Sequence, residues 1–339
     1  MLIFGDIHHR NNCLLSSGDG RHIVKSAAET VLSKEVLLMK LFLILFLLVC
    51  LLCLTAAAFA EPGLPDLPEK LPMEYRKSVQ DGGLVQRIEY PSKDYYGDRA
   101  EITKPALVYL PAGYSEENQY DLLVLCHGVG GTEREWGFLS NPSMGKNLVD
   151  NLIAKGEIRP LIIVMPNGRS TANFGDTSFA NMQSFYTFGQ EIRNDLLPWM
   201  DAHYATYGAG LDDLSASREH RYMAGLSMGG MQTINIGLCE CLDLFSAFGA
   251  FSAAPTSYPA AKVASEIKKF DSCPIRFFYN VCGIQDTTAY ASASGAAKDL
   301  LKYTDQLTED NWYWQECTGT HSFEIWNLGL FNFLRILGN

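Results

Sequence analysis

The chain has 339 residues, 47% of them hydrophobic, and a formal net charge of −11 at pH 7. Residues 1–60 are net +1, so residues 61–339 carry a net −12. Such a surface repels polyanions, which argues against nucleic acid as a partner. The apolar content and a body of about 265 residues fit one large domain with a full core.

In chain order, the first signal is an apolar run. Met39-Lys40 leads into Leu41 through Thr55, and Ala56-Ala57-Ala58-Phe59-Ala60-Glu61 follows. A short basic start, an apolar segment and an Ala-x-Ala site read as a secretory signal peptide over 39–60, cut before Glu61. Residues 1–38 then read as sequence upstream of the true start. The rival is a tail and membrane anchor, for which the run is short. Cys50 and Cys53 lack the small residues that precede a lipidated cysteine. The expectation is a secreted protein with no stable membrane association after cleavage. Pro62, Pro65 and Pro68 mark 61–75 as a linker, and 76–339 as the domain.

Strands are expected at 85–90, 106–110 and 122–126, then a helix at 145–155 and a strand at 161–165. Helix 190–204, strand 222–224 and a helix from Gly230 follow. The remainder reads as strand 245–251, helix 260–270, strand 275–281, helix 289–303, strand 312–316 and helix 324–337. Strands alternating with helices predict an α/β fold: one domain with a mostly parallel central sheet and helices on both faces.

Chemistry concentrates at Gly225-Leu226-Ser227-Met228-Gly229. Between an apolar strand and a helix, G-x-S-x-G is a nucleophile elbow, a strained turn that holds the serine hydroxyl out at a strand end. An α/β hydrolase orders its triad Ser, then acid, then His. Of seven histidines only His321 follows Ser227, on a loop after a predicted strand, so it is the candidate base. Asp286 follows strand 275–281 and a short turn, whereas Asp243, Asp271, Asp299, Asp305 and Asp310 fall in helical or connecting segments, and Glu316 is the glutamate alternative. Asp286 would hold the His321 tautomer and stabilise the imidazolium.

An oxyanion hole needs backbone donors. One is the Met228 N–H. The other comes from the loop His127-Gly128-Val129-Gly130-Gly131. A phosphate-binding loop is disfavoured there, because no Lys-Ser/Thr pair follows and the Rossmann spacing is missing. His127 reads as a loop-packing residue. No cysteine or histidine spacing suggests a metal site, and no cofactor is expected. Cys282 and Cys317 end consecutive predicted strands and could bridge, or equally could pack as free thiols.

These motifs resemble carbohydrate esterase family 1. The resemblance rests on His127 to Gly131 with Trp136, Arg218-Glu219-His220-Arg221 leading into Gly225 to Gly230, Ser252-Ala253-Ala254-Pro255, Gly283-x-x-Asp286, and Gly319-x-His321-x-Phe323. It covers about residues 85–337 and is strongest to feruloyl esterase modules of bacterial xylanases. It implies an α/β-hydrolase fold, a Ser227–Asp286–His321 triad, and oxyanion amides from Val129 and Met228. The chain departs from the family's Gly-Gly-His-Asp at Gly319-Thr320-His321-Ser322, on the pocket rim.

The implied function is hydrolysis of feruloyl or cinnamoyl esters on plant cell-wall polysaccharide or feruloylated oligosaccharides. An acetylxylan esterase, an acyltransferase and a non-catalytic hydrolase-fold binding protein remain as alternatives. Candidate substrate contacts are Trp136, Phe185, Tyr186 and Trp326. The aromatic segment Phe174, Phe179, Phe185, Tyr186 and Phe188 either lines a cleft or packs its loop onto the body.

Overall fold

Apolar runs bounded by turn residues become the strands of one eight-stranded sheet: β1 (Leu84–Lys93), β2 (Glu101–Leu110), β3 (Asp121–Cys126), β4 (Leu161–Pro166), β5 (Arg221–Leu226), β6 (Ala247–Phe251), β7 (Phe277–Gly283) and β8 (Trp312–Cys317). This computed structural model of the chain describes residues 39–46 and 67–338. The sheet order is β1-β2-β4-β3-β5-β6-β7-β8. The six strands from β4 to β8 run parallel, and β1 and β2 are antiparallel additions at one edge. The mostly parallel α/β-hydrolase sheet expected from the sequence is therefore present.

The parallel strands β3 to β7 are buried throughout, as a sheet covered on both faces requires, and only the edge strand β8 is partly exposed. Alternate side chains go to opposite layers. Leu122, Val124 and Cys126 join the core that includes Ile192, Met223 and Val263, whereas Leu123 and Leu125 join the one that includes Leu148, Phe331 and Phe333. The first layer is covered by α2, a helical path through Phe188–Glu191, a π-turn at Ile192–Leu196 and Leu197–His203. With it lie α3 (Met228–Gln232, continuing as Thr233–Leu238), α4 (Ala260–Ile267) and α5 (Tyr290–Leu300). The second is covered by α1 (Met144–Ala154) and α6 (Phe323–Gly338).

Strand β2 begins five residues before the predicted start. Its polar first half pairs with β1, from Lys93↔Glu101 to Tyr90↔Lys104. Lys104 is fully buried against an equally buried Glu191 at 3.0 Å. A charged residue in a strand was unreadable as core because its partner lies 87 positions away. Strand β7 runs two residues later than predicted, to where Gly283 pairs with Cys317 of β8. A Cβ on Gly283 would meet the Gly319 carbonyl oxygen at 2.3 Å, so this glycine lets the ends of β7 and β8 approach closely.

The chain divides into two units, Met1–Gly63 and Leu64–Asn339. In the first, residues 39–46 are helical with exposed apolar side chains. No helix among the described residues is long and apolar enough to cross a membrane. Residues 1–38 and the Ala58-Phe59-Ala60 site lie outside the described residues, as do positions 61–66 of the expected linker. Its remainder packs on the domain: Leu71 and Tyr75 are buried, and the Leu67 and Pro68 carbonyls accept from Gln315 Nε2 at 3.3 and 3.1 Å.

Candidate active site

Every residue of the expected triad lies just past the C-terminal end of a parallel strand, where open α/β sheets gather their functional groups. Ser227 follows β5, Asp286 follows β7 and His321 follows β8. The loop from His127 to Gly131 follows β3, which pairs with β5. The chain reverses its direction of winding between these two neighbours, so the loop and Ser227 straddle the topological switch point.

Ser227 has φ 51° and ψ −113°. A non-glycine residue at positive φ is strained, and the surroundings hold it there. Its N–H donates to the Phe251 carbonyl at 2.9 Å, and its own carbonyl accepts from Met231 and Ala254 at 3.0 and 2.9 Å. The flanking glycines are required by contact. A Cβ on Gly225 would meet the Gly229 carbonyl carbon at 2.5 Å, and one on Gly229 would meet the Cys126 oxygen at 2.5 Å.

His321 Nε2 lies 3.0 Å from Ser227 Oγ, and His321 Nδ1 lies 2.7 Å from Asp286 Oδ2. The other carboxylate oxygen of Asp286 accepts from the Thr288 and Ala289 N–H groups at 2.9 and 2.8 Å. Burial works to raise the Asp286 pKa. The hydrogen bonds from His321 and the Ala289 N–H outweigh it and hold the carboxyl below its ordinary value. An ionised Asp286 accepts from Nδ1–H, which leaves Nε2 as the acceptor facing the serine. Glu316, weighed as an alternative acid, instead accepts from Tyr290 Oη at 3.0 Å and Trp314 Nε1 at 3.3 Å.

The six cysteines among the described residues are free, so Cys282 and Cys317 do not bridge. Cys282 Sγ sits 3.7 Å from Asp286 Oδ2, and burial pushes its thiol up to about 12.

The glycine loop lies against the elbow: a Cβ on Gly128 would be 3.4 Å from Ser227 Cβ. Neither the Val129 nor the Met228 N–H meets a protein acceptor among the described residues. Met228 opens α3, whose first N–H groups have no intrahelical partner. Both donors are free for an incoming oxyanion.

His127 is buried and fixed by two bonds. Its Nδ1–H donates to the Gly128 carbonyl at 2.7 Å, and its Nε2 accepts from the Gly168 N–H at 3.0 Å. Burial holds its pKa down at about 3, whereas an unfolded imidazole titrates near 6.5. Below about pH 6.5 the unfolded chain takes up a proton that the native state refuses. Stability therefore falls as the pH drops toward 3, by up to about 1.4 kcal/mol per pH unit. Thermal unfolding followed from pH 7 to pH 4 should show a shallower acid slope in His127→Asn than in the wild type. Equal slopes would contradict this reading.

Of the expected substrate contacts, Phe185 is fully buried, its ring against His127 at 5.5 Å and under the Arg169 guanidinium at 4.9 Å. It packs the loop rather than lining a cleft. Trp136 is also buried, with Nε1 bonded to the Cys126 carbonyl at 3.0 Å. Trp326 lies edge-on to His321 at 5.1 Å, next to Phe323. Tyr186 is partly exposed and packs with Val129 against Met228 and Met231. Of these groups, Trp136 lines a cleft of about 370 Å³, together with Arg134, Glu135, Ser140, Phe323 and Asn327, among others.

Two polar residues of the site escaped the sequence reading. Glu135 accepts the Gly128 N–H at 2.6 Å; burial raises its pKa against the pull of that bond and of Arg169 and His321. Arg169 reaches the carbonyls of Val129 and Gly131. Its only sequence signal is position, three residues past the end of β4.

The fold and this arrangement define an α/β hydrolase. Residues 102–335 match the model of the Esterase family, described as “Putative esterase”. The chain belongs to that family. It is 32% identical over 233 residues to endo-1,4-beta-xylanase Y of Acetivibrio thermocellus, covering 65% of this chain and 20% of that protein. It is 31% identical over 218 residues to an endo-1,4-beta-xylanase/feruloyl esterase of Xylanibacter ruminicola, covering 62% and 26% respectively. The chain thus spans about a fifth to a quarter of these relatives. Its fold matches the feruloyl esterase module of Clostridium thermocellum, solved as a mutant complexed with sinapinate. The TM-score is 0.64 at 27% identity, over 79% of this chain and 92% of that one. A ferulic acid esterase of Anaeromyces mucronatus, 22% identical, shares the fold with a TM-score of 0.65 over 80% and 97%. The resemblance to carbohydrate esterase family 1 read from the motifs therefore holds.

Proposed function

We propose that the protein is a secreted serine esterase that hydrolyses feruloyl and related cinnamoyl esters on plant cell-wall xylan. The observation that carries this reading is the hydrogen-bonded line from Ser227 through His321 to Asp286. Ser227 Oγ attacks the ester carbonyl and His321 Nε2 takes its proton. Asp286 stabilises the imidazolium. The Val129 and Met228 N–H groups hold the oxyanion, each contributing about 3–4 kcal/mol in comparable sites. His321 then protonates the departing sugar alcohol. Water, activated by the same imidazole, releases the acid and restores the serine.

The substrate choice is supported by the relatives' names and by the cleft of about 370 Å³ lined by Trp136 and Phe323, which lies in the size range of small-molecule pockets. The aromatic edge formed by Phe323 and Trp326 suits a phenolic ring. The test is kcat/KM for methyl ferulate, methyl p-coumarate and an acetyl ester of similar leaving group, with acid release from bran arabinoxylan. The hydroxycinnamoyl esters should be preferred. Preference for acetyl, with little ferulate release, would replace this reading with an acetylxylan esterase. Secretion rests on the 39–60 pattern. N-terminal sequencing of exported protein should begin at Glu61, and a product retaining residues 1–38 would refute it.

A further inference from the structure

A loop with three glycines in four residues cannot hold an amide in place through its own stiffness. Gly130 has no atom within 4 Å of where its Cβ would be, so packing does not immobilise the loop's tip either. The direction of the Val129 N–H must be set by what bonds to the neighbouring carbonyls. We propose that Arg169, acting with His127, is a positioning residue that fixes the peptide planes on both sides of Val129 and so aims its amide at the developing oxyanion. This rests on the serine-esterase reading of the site.

The Val129 N–H belongs to the peptide that carries the Gly128 carbonyl. In a trans peptide the two point in opposite directions. The Gly128 oxygen accepts from His127 Nδ1 at 2.7 Å and from the Gly131 N–H at 3.1 Å. Those bonds turn the Val129 N–H the other way. The next peptide carries the Val129 carbonyl, which accepts from the Arg169 guanidinium. A second guanidinium nitrogen bonds the Gly131 carbonyl at 2.8 Å. One torsion at Val129 is thus constrained by bonds within the loop and the other by Arg169 from outside it.

Arg169 can serve as an anchor because it is itself immobile. Its side chain is fully buried, with the guanidinium 4.9 Å above the Phe185 ring. Its backbone carbonyl accepts from Lys104 Nζ at 2.6 Å, and Lys104 is paired with buried Glu191. The Asn167 side chain accepts the Arg169 N–H at 3.2 Å. Burying this cation leaves Nε without a partner, which costs stability. Its rigid fork is what can bond two carbonyls of one short loop together.

Arg169→Met removes both donors at similar length, and Arg169→Lys keeps one cationic donor. An oxyanion donor acts on the transition state. With p-nitrophenyl acetate, kcat per Ser227 titrated to completion by a fluorophosphonate should fall about 10- to 100-fold in Arg169→Met, KM staying within about threefold. Affinity for a trifluoromethyl ketone should fall by the same factor, and Arg169→Lys should recover part of both losses. A structural role alone would lower the titratable fraction and the melting temperature, with kcat per titrated site and ketone affinity unchanged. That result would overturn the proposal. If Arg169→Met does not fold, Arg169→Lys is judged by the same two readouts: parallel losses support the clamp, and unchanged values refute it. A wild type that fails to label at Ser227 would instead refute the serine-esterase reading.

Discussion

Ser227→Ala is expected to lower kcat about a million-fold, and His321→Ala by nearly as much, because nucleophile and base act as one unit. The double variant should lose little more than either single one. Ser227 Oγ and His321 Nε2 are 3.0 Å apart, and no other histidine reaches the serine among the described contacts. His127, the nearest rival in the sequence, has both ring nitrogens committed to backbone groups. The folded state should survive Ser227→Ala, since the elbow is held by backbone bonds to Phe251, Met231 and Ala254. Single-turnover kinetics on methyl ferulate, with circular dichroism as the folding control, checks both statements. Retention of more than about a hundredth of wild-type kcat in either variant would remove these residues from the chemistry.

Asp286→Asn should lower kcat about ten-thousand-fold while leaving substrate binding largely intact. The two functions of this carboxylate separate cleanly. Oδ1 accepts the Thr288 and Ala289 N–H groups, which an asparagine oxygen continues to do. Oδ2 faces His321 Nδ1 at 2.7 Å, where an asparagine would present an NH₂ group. Nδ1 then becomes the acceptor and the ring proton moves to Nε2, facing the serine. Such an imidazole cannot take the serine proton. Glu316→Gln is the control, because Glu316 bonds to Tyr290 and Trp314 rather than to His321. It should retain near-wild-type activity. The reverse pattern in this pair would transfer the role of acid to Glu316.

The parts of the site legible in the sequence are those carried by short-range pattern. Gly225 to Gly229 sits between an apolar strand and a helix, and both glycines are forced by contacts below 3 Å. Asp286 and His321 were found because each follows an apolar run on the correct side of Ser227. What stayed hidden depends on contacts between distant positions. Arg169 lies 38 and 40 residues from the carbonyls it bonds, and Lys104 lies 87 from Glu191. Neither spacing leaves a periodic trace. The aromatic segment after Gly168 shows the opposite limit. Its rings were visible, but sequence cannot say which way they face. Phe185 and Phe188 turn inward, Phe179 is 76% exposed, and Tyr186 lies between.

The central claim is an acyl-enzyme on Ser227 formed from a hydroxycinnamoyl ester. Acid-quenched mixtures of enzyme and methyl ferulate, digested and read by mass spectrometry, test it most directly. The peptide containing Ser227 should gain the mass of one feruloyl group. The adduct should be absent from Ser227→Ala and should accumulate in a burst at short times. A feruloyl adduct on another residue, or ferulate release at the wild-type rate from Ser227→Ala, would contradict it.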